Sequence, residues 1–388
     1  MPESRPRGRT IVVFGLAGLL ACFVVLTASV GYERAWQIVG VDVTMMPPFA
    51  DALNVTSAWE CTRQGFDVQQ DNPCDPWGRP MNYPSIWLFP ALLGLGVAAT
   101  PALGGLGVCL WLGASVALSW RMGRLGGVAL LAAAVSPPVL LAVERGNSDL
   151  VILGLLVVSG ALAGRPGALG TAGLLVTLLA TLAKLFPVFA LVASLRRPAL
   201  MRTLVLSLLV LGVYALTSWE ELEVIFAVVP RRVDMSYGAV VSVGALARVL
   251  GWQGVPVLGA HLAVVLGGSL LALPLSTRLG PESIRPGHAG WWILALAVYA
   301  GTFALGGNWD YRLVFLLLAI PGLRDLAEGG QRLAAGTTLA LILGLLWTSG
   351  SRPWDFILID DLFATALFVV ALAWVLAGLR LRWRSHPL

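Results

Sequence analysis

The run Ile11-Val-Val-Phe-Gly-Leu-Ala-Gly-Leu-Leu-Ala-Cys-Phe-Val-Val-Leu-Thr-Ala-Ser-Val30 carries no charged side chain from end to end. As a helix rising about 1.5 Å per residue, it covers about 30 Å, the thickness of a bilayer's hydrocarbon core. Residues 1–10, Met-Pro-Glu-Ser-Arg-Pro-Arg-Gly-Arg-Thr, form a basic lead into it. A signal peptide has a shorter apolar core and a small-residue cleavage site. The run therefore reads as an uncleaved first span with its N-terminus inside. Similar runs recur along the chain, separated by short Arg-bearing links. Of the 388 residues 57% are hydrophobic and 12% charged, and the mean hydropathy is +0.82. Soluble domains carry about 25% charged residues. The expected fold class is an all-α polytopic membrane protein, with residues 1–388 as one integral membrane domain.

The net charge of +5 does not point to nucleic acid, because the Arg residues are scattered through short links and both ends. That is the positive-inside pattern. Applied along the chain, it sends 11–30 outward and 101–120 inward, then 125–142 out, 149–165 in, 168–184 out and 185–197 in. Residues 203–219 go out, 254–275 in, 290–306 out, 310–323 in, 333–349 out and 361–379 in. The result is about twelve crossings with a cytoplasmic N-terminus (1–10) and tail (380–388). Extracytoplasmic loops are expected at 31–84 and 220–253. Residues 85–100, short and interrupted by Pro90, are expected to re-enter or lie at the outer interface. The spans 185–197 and 310–323 are short for a perpendicular helix. No internal repeat of the transporter type is visible. Arg has replaced Lys almost everywhere, which with the abundance of Ala, Gly, Leu and Val suggests a GC-rich bacterial source.

Between the first two spans lies a polar stretch, Asp42 to Trp87, that holds Asp42, Asp51, Glu60, Asp67, Asp71 and Asp75 out of 21 acidic residues. Pro73, Pro76, Pro80 and Pro84 give it a turn-rich path. Asp75, Arg79 and Asn82 are expected to shape its end. Cys61 and Cys74 share it, and an extracytoplasmic location favours a disulfide. Two free thiols or a metal pair are the alternatives, with no His nearby.

Further polar clusters fall at the outer ends of other spans: Glu144-Arg145-Gly146-Asn147-Ser148-Asp149, Lys184-Leu185-Phe186-Pro187, Pro230-Arg231-Arg232-Val233-Asp234, and Asn308-Trp309-Asp310-Tyr311-Arg312. Cations on that face need a partner. Arg145, Lys184, Arg231, Arg232 and Arg312 either pair with Glu144, Asp149, Asp234 or Asp310, or bind an anionic group such as a phosphate. Lys184 is the lone lysine and has no acid close in sequence. Trp59, Trp77, Trp87 and Trp309 are the rings placed to contact a sugar. A zinc-type His/Cys cluster, a P-loop and a Gly-Xaa-Ser-Xaa-Gly elbow are absent from the sequence.

Asp51, Gly65-Phe66-Asp67, Asn82-Tyr83-Pro84, Arg145-Gly146-Asn147-Ser148-Asp149, Lys184-Leu185-Phe186-Pro187 and Asn308-Trp309-Asp310-Tyr311-Arg312, in this order, resemble bacterial GT-C membrane glycosyltransferases. The nearest group is glycosyltransferase family 87, which includes polyprenol-phosphate-mannose-dependent mannosyltransferases. The cysteine pair, and Ser85 where a second Pro is common, depart from the pattern. The resemblance implies a GT-C-like bundle in the bacterial plasma membrane with its active site on the extracytoplasmic side. Such an enzyme moves a sugar, mannose or another hexose, from a polyprenyl-phosphate donor to a glycolipid or glycan acceptor. Asp51 best matches the catalytic position, Asp42 next. Asn82, Tyr83, Asn147, Asp149, Asn308, Asp310 and Tyr311 are implied at the sugar and acceptor.

An inverting transfer needs one carboxylate to take the proton of the attacking hydroxyl, whereas most hydrolases use two. It requires no cofactor. A divalent metal at the donor phosphate is compatible with it, yet nothing in the sequence demands one. The structural alternative for Asp51 is a helix N-cap before Ala52-Leu53-Asn54, with a short helix running to Gln64. The competing functions are a transporter or flippase of lipid-linked sugars and a non-catalytic membrane protein of envelope assembly.

Overall fold

The computed structural model describes residues 7–41, 44–163, 165, 167–196, 201–228, 235–252, 256–349 and 357–385. The described residues are mostly helical. Its first part contains α1 (Arg7–Val30), α2 (Tyr32–Ile38), α3 (Ala50–Arg63) and α4 (Thr100–Leu118). Next come α5 (Arg124–Ala134), α6 (Pro137–Arg145), α7 (Asp149–Ala163), α8 (Ala168–Lys184), α9 (Met201–Thr217) and α10 (Trp219–Val228). The last part holds α11 (Ala239–Val249), α12 (Val257–Arg278), α13 (Pro286–Leu305), α14 (Ile320–Glu328), α15 (Arg332–Thr348) and α16 (Ile357–Ser385). Two short strands, β1 (Ser236–Tyr237) and β2 (Asn308–Trp309), pair antiparallel with Ser236 opposite Trp309 and Tyr237 opposite Asn308.

Among the described residues, five segments are long and apolar enough to cross a bilayer: Arg7–Val30, Val97–Leu118, Val257–Arg278, Pro286–Leu305 and Leu358–Leu381. The number rises to seven when each of two bent helix pairs counts as one span. Their outer surface fits that environment. Phe14, Val24 and Val25 on α1, and Leu258, Leu266 and Leu270 on α12, are all exposed, forming apolar surface that a soluble monomer rarely shows. The chain is thus an all-α protein built for a membrane.

Several expected spans differ in detail. The stretch 125–142 is broken by 53° between α5 and α6. Pro137 and Pro138 cause this, since they lack the N–H groups that would continue the α5 ladder yet suit the first turn of a new helix. The stretches 185–197 and 310–323 are not plain α-helices. They run as 3₁₀ segments over Phe186–Arg196 and Asp310–Ala319, and α14 follows the second. Residues 85–100 wind as 3₁₀ turns, Ser85–Leu93 and Val97–Ala99, before α4. The stretch 220–253 is not an open loop. It contains α10, bent 78° from α9, as well as β1 and α11.

At the centre stands α13, buried nearly all round, as a helix apolar on every side should be. Against it pack α7, α16 and both long 3₁₀ segments. Its two ends define two polar regions. At its N-terminal end His288 Nδ1 lies 2.7 Å from Asp325 Oδ2. Just past its C-terminal end Asn308 donates to the Thr302 carbonyl at 2.6 Å. A helix of this length separates the two regions by about 30 Å.

A candidate carboxylate site at one end of the bundle

Asp51 sits inside the first turn of α3, not at its N-cap, which is Phe49 at φ 62. The expected capping role is therefore corrected. α3 ends at Arg63, and Gln64 follows as its C-cap. Phe49 N–H donates to the Glu144 carbonyl at 3.2 Å, so the start of α3 lies against the end of α6. Gly146 closes α6 at φ 57, and a Cβ there would meet Phe49 Cβ at 3.0 Å and Ala52 Cβ at 3.2 Å. Glycine is required both by that conformation and by the close approach.

Beyond Gly146 the chain presents Asn147, Ser148 and Asp149 to two other elements. Asn147 Nδ2 donates to Asp51 Oδ2 at 2.6 Å. Its Oδ1 accepts from the Asp149 amide at 2.8 Å and from Lys184 Nζ at 3.2 Å. Lys184, the last residue of α8, also donates to Ser148 Oγ at 2.7 Å and pairs with Asp149 Oδ1 at 2.6 Å. The Lys184 ammonium stands over the Tyr83 ring at 4.9 Å and the Tyr311 ring at 5.9 Å. After it, Leu185 is held at φ 54, a strained backbone for a side chain of its size. The turn there lets the next segment double back.

Of the two roles open to Lys184, ion pairing and phosphate binding, the structure shows the first: its N–H donors are directed at Asp149, Ser148 and Asn147, which fixes that loop. Arg145, open to the same two roles, pairs with Glu144 Oε2 at 3.1 Å and contacts Met45 Sδ. Arg312 lies 3.9 Å from Asp149 Oδ2, bonds Asn308 Oδ1 and covers the Phe186 ring at 4.7 Å. Arg231, Arg232 and Asp42 lie outside the described residues.

Arg79 is the cation that the sequence did not single out for this site. Its Nη1 is 3.5 Å from Asp51 Oδ1, its Nη2 donates to the Ala50 carbonyl at 2.6 Å, and its Nε donates to Asp75 Oδ2 at 2.8 Å. Asp75 is buried and also accepts from Asn54 Nδ2 at 3.1 Å. The Asp51 and Arg79 side chains keep 17% and 27% of their surface exposed, which makes them the open edge of the cluster. The hint in sequence was the four-residue spacing of Asp75 and Arg79, each directly before a proline, Pro76 and Pro80.

The other expected residues fall at varied distances from this edge. Tyr83 is buried and hydrogen-bonds Ser148. Burial pushes its phenol well above the usual range, and the Asp51 charge adds to that. Tyr311 stacks on Trp309 at 5.7 Å, and the buried Asp310 donates its amide to the Met235 carbonyl at 3.0 Å. Asn82 is half-buried. Cys61 and Cys74 form a disulfide, under which the polar stretch packs around Trp59, Met81 and Tyr83. Trp59 is buried, with its indole N–H turned onto the Trp87 carbonyl. Trp87 bonds the Ala183 carbonyl at 2.8 Å.

Two spaces adjoin the cluster. A cavity of about 10 Å³ is lined by Asp51, Asn147, Ser148 and Trp87, room for about one water. An apolar groove of about 180 Å³ runs between α1, α2, α4 and α6, lined by Phe23, Tyr32, Trp36, Phe49, Trp111 and Leu140. Among the described residues no group of three or more His, Cys, Asp or Glu side chains could hold a metal ion. No family model, curated protein or solved structure matches the chain.

Proposed function

We propose that the protein is a GT-C-type membrane glycosyltransferase with Asp51 as its general base. The observation that carries this reading is a partly exposed carboxylate, Asp51, two residues after Phe49, which lines an apolar groove. A lipid-linked sugar needs both: a polar centre for the reacting carbon and an apolar track for the lipid.

In the proposed reaction the acceptor O–H bond breaks and its proton passes to Asp51. The acceptor oxygen bonds to the anomeric carbon, inverting it. The carbon–phosphate oxygen bond breaks with its electron pair leaving on the phosphate, which releases polyprenyl phosphate. The charge gained by that leaving group is met by Arg79, 3.5 Å from Asp51, and by Arg312 as the second cation of the cluster. Asn147 holds the carboxylate in place, and Lys184 with Asp149 holds Asn147. Tyr83, Asn82, Tyr311, Asn308 and Asp310 surround the sugar and acceptor. Because the cavity holds about one water, the donor's entry requires this end of the bundle to open.

In this reading the five long segments, the two bent pairs, the shorter α7, α8 and α15 and the two long 3₁₀ segments together supply about twelve spans. The Asp51 end faces the extracytoplasmic side of a bacterial plasma membrane, and the Arg-rich end faces the cytoplasm. A flippase is favoured less, because the charged clusters lie at the two ends of the bundle and are not spread through its middle.

The test is transfer by the purified protein in proteoliposomes supplied with radiolabelled polyprenyl-phosphate mannose and a membrane-lipid extract. Label recovered in a new glycolipid supports the enzyme. Label that crosses the bilayer still on its polyprenyl carrier would establish the flippase instead.

A further inference from the structure

The opposite end of the bundle carries a much larger cavity, about 660 Å³, between the start of α1 and helices α5, α14 and α15. Four guanidinium groups line it, from Arg7, Arg124, Arg324 and Arg332, against one carboxylate, Glu328. Glu328 is already engaged. Arg324 Nη2 lies 2.8 Å from its Oε1, and Arg285 Nη2 lies 3.0 Å from its Oε2. Arg7, Arg124 and Arg332 have no acidic partner among the described residues, and all three are exposed. Three uncompensated cations therefore converge on one space.

The rest of that space is apolar, with Ile320, Leu323 and Leu339 among its walls. Leu125, which lines it, is 87% exposed, and Leu333, next in sequence to the lining Arg332, is 86% exposed. A small soluble anion has no use for such walls. Exposed Trp120 with Arg9 above its ring at 4.7 Å stands at the same end, the pairing of aromatic and basic side chains typical of a membrane interface.

We infer that this cavity binds an anionic phospholipid, its phosphate held by Arg7, Arg124 and Arg332 and its acyl chains laid over Leu125 and Leu333. Arg324 joins them from its bond to Glu328. The charge complementarity decides the headgroup class, since basic pockets between membrane helices recognise anionic lipids. A bound lipid ties the N-terminus of α1 to α14 and α15. The inference does not depend on the reaction proposed for the other end.

The experiment is thermal unfolding of the purified protein in neutral detergent, titrated with phosphatidylglycerol, phosphatidylcholine or inorganic phosphate. Phosphatidylglycerol raises the midpoint saturably, and the other two do not. In the Arg124→Gln/Arg332→Gln variant the apparent affinity falls about thirtyfold. If the double variant does not fold, Arg332→Gln alone reads about fivefold. An equal response to phosphatidylcholine would reduce the cavity to a general apolar surface, and a response to phosphate alone would make it a free-anion site. Either result overturns the inference, as does an unchanged titration in the variants.

Discussion

Replacing Lys184 by Met keeps an unbranched side chain, one atom shorter, and removes its charge. Lys184 and Asp149 lie 2.6 Å apart with 8% and 0% of their side chains exposed. Arg312, at 3.9 Å, is the cation left to Asp149. At an effective dielectric constant of about 20, the gross attraction is roughly 6 kcal/mol for the first contact and roughly 4 kcal/mol for the second. Most of the first figure is offset by the cost of burying Lys184 itself. Breaking a buried pair by removing one partner typically costs 3–5 kcal/mol, about. Because Arg312 still faces Asp149, the low end applies, about 3 kcal/mol. Adding Asp149→Asn removes the stranded charge and restores about 2 kcal/mol of that loss. The check is a double-mutant cycle from denaturant titration in neutral detergent. A Lys184→Met protein as stable as the original, or a double variant no better than the single one, would refute the buried-pair reasoning.

Four further outcomes follow from the same geometry. Gly146→Ala puts a Cβ 3.0 Å from Phe49 on a left-handed backbone and costs about 1–2 kcal/mol, read in the same titration. Replacing Cys61 and Cys74 by Ser opens a link over a sequence separation of 13 and costs about 3 kcal/mol, matched by the effect of reductant on the unaltered protein. Arg79→Gln leaves the buried Asp75 without its 2.8 Å donor and costs about 2 kcal/mol, while also slowing transfer in the proteoliposome assay. Leu185→Gly relieves the φ 54 backbone at a side chain that is only half-buried, and costs less than the roughly 2–5 kcal/mol of a fully buried apolar deletion, read by denaturant titration.

The helices that are long and apolar, with no proline beyond the first turn, were legible in the sequence. α1, α13 and α16 need only local information, since the long charge-free run at the heart of each has few places to go. The 3₁₀ segments were not legible as such. Phe186–Arg196 and Asp310–Ala319 read as short spans, and their winding depends on how they pack against α13. The bend after Ala134 was written in Pro137-Pro138, a signal that the charge pattern masked.

The site divides the same way. Asp51 stands out as an acid in a greasy chain, and the Asn147–Asp149 cluster as polar residues at a span end. Which cation serves which acid is a tertiary fact. Lys184 has no acid near it in sequence, yet folding brings Asp149 to 2.6 Å. Arg79 read as a turn residue because Asp75 is close in sequence, while its 3.5 Å approach to Asp51 exists only once α3 has docked.

The central claim is that Asp51 takes a proton during sugar transfer, and the rate ratio of wild type to Asp51→Asn tests it most directly. Asn at that position preserves the size of the side chain, so the fold and the Asn147 contact persist, verified by an unchanged unfolding midpoint. With radiolabelled polyprenyl-phosphate mannose as donor, the account predicts a rate lower by about 10²–10⁴-fold, the contribution of a positioned general base. A folded Asp51→Asn protein that transfers sugar at the wild-type rate would contradict it.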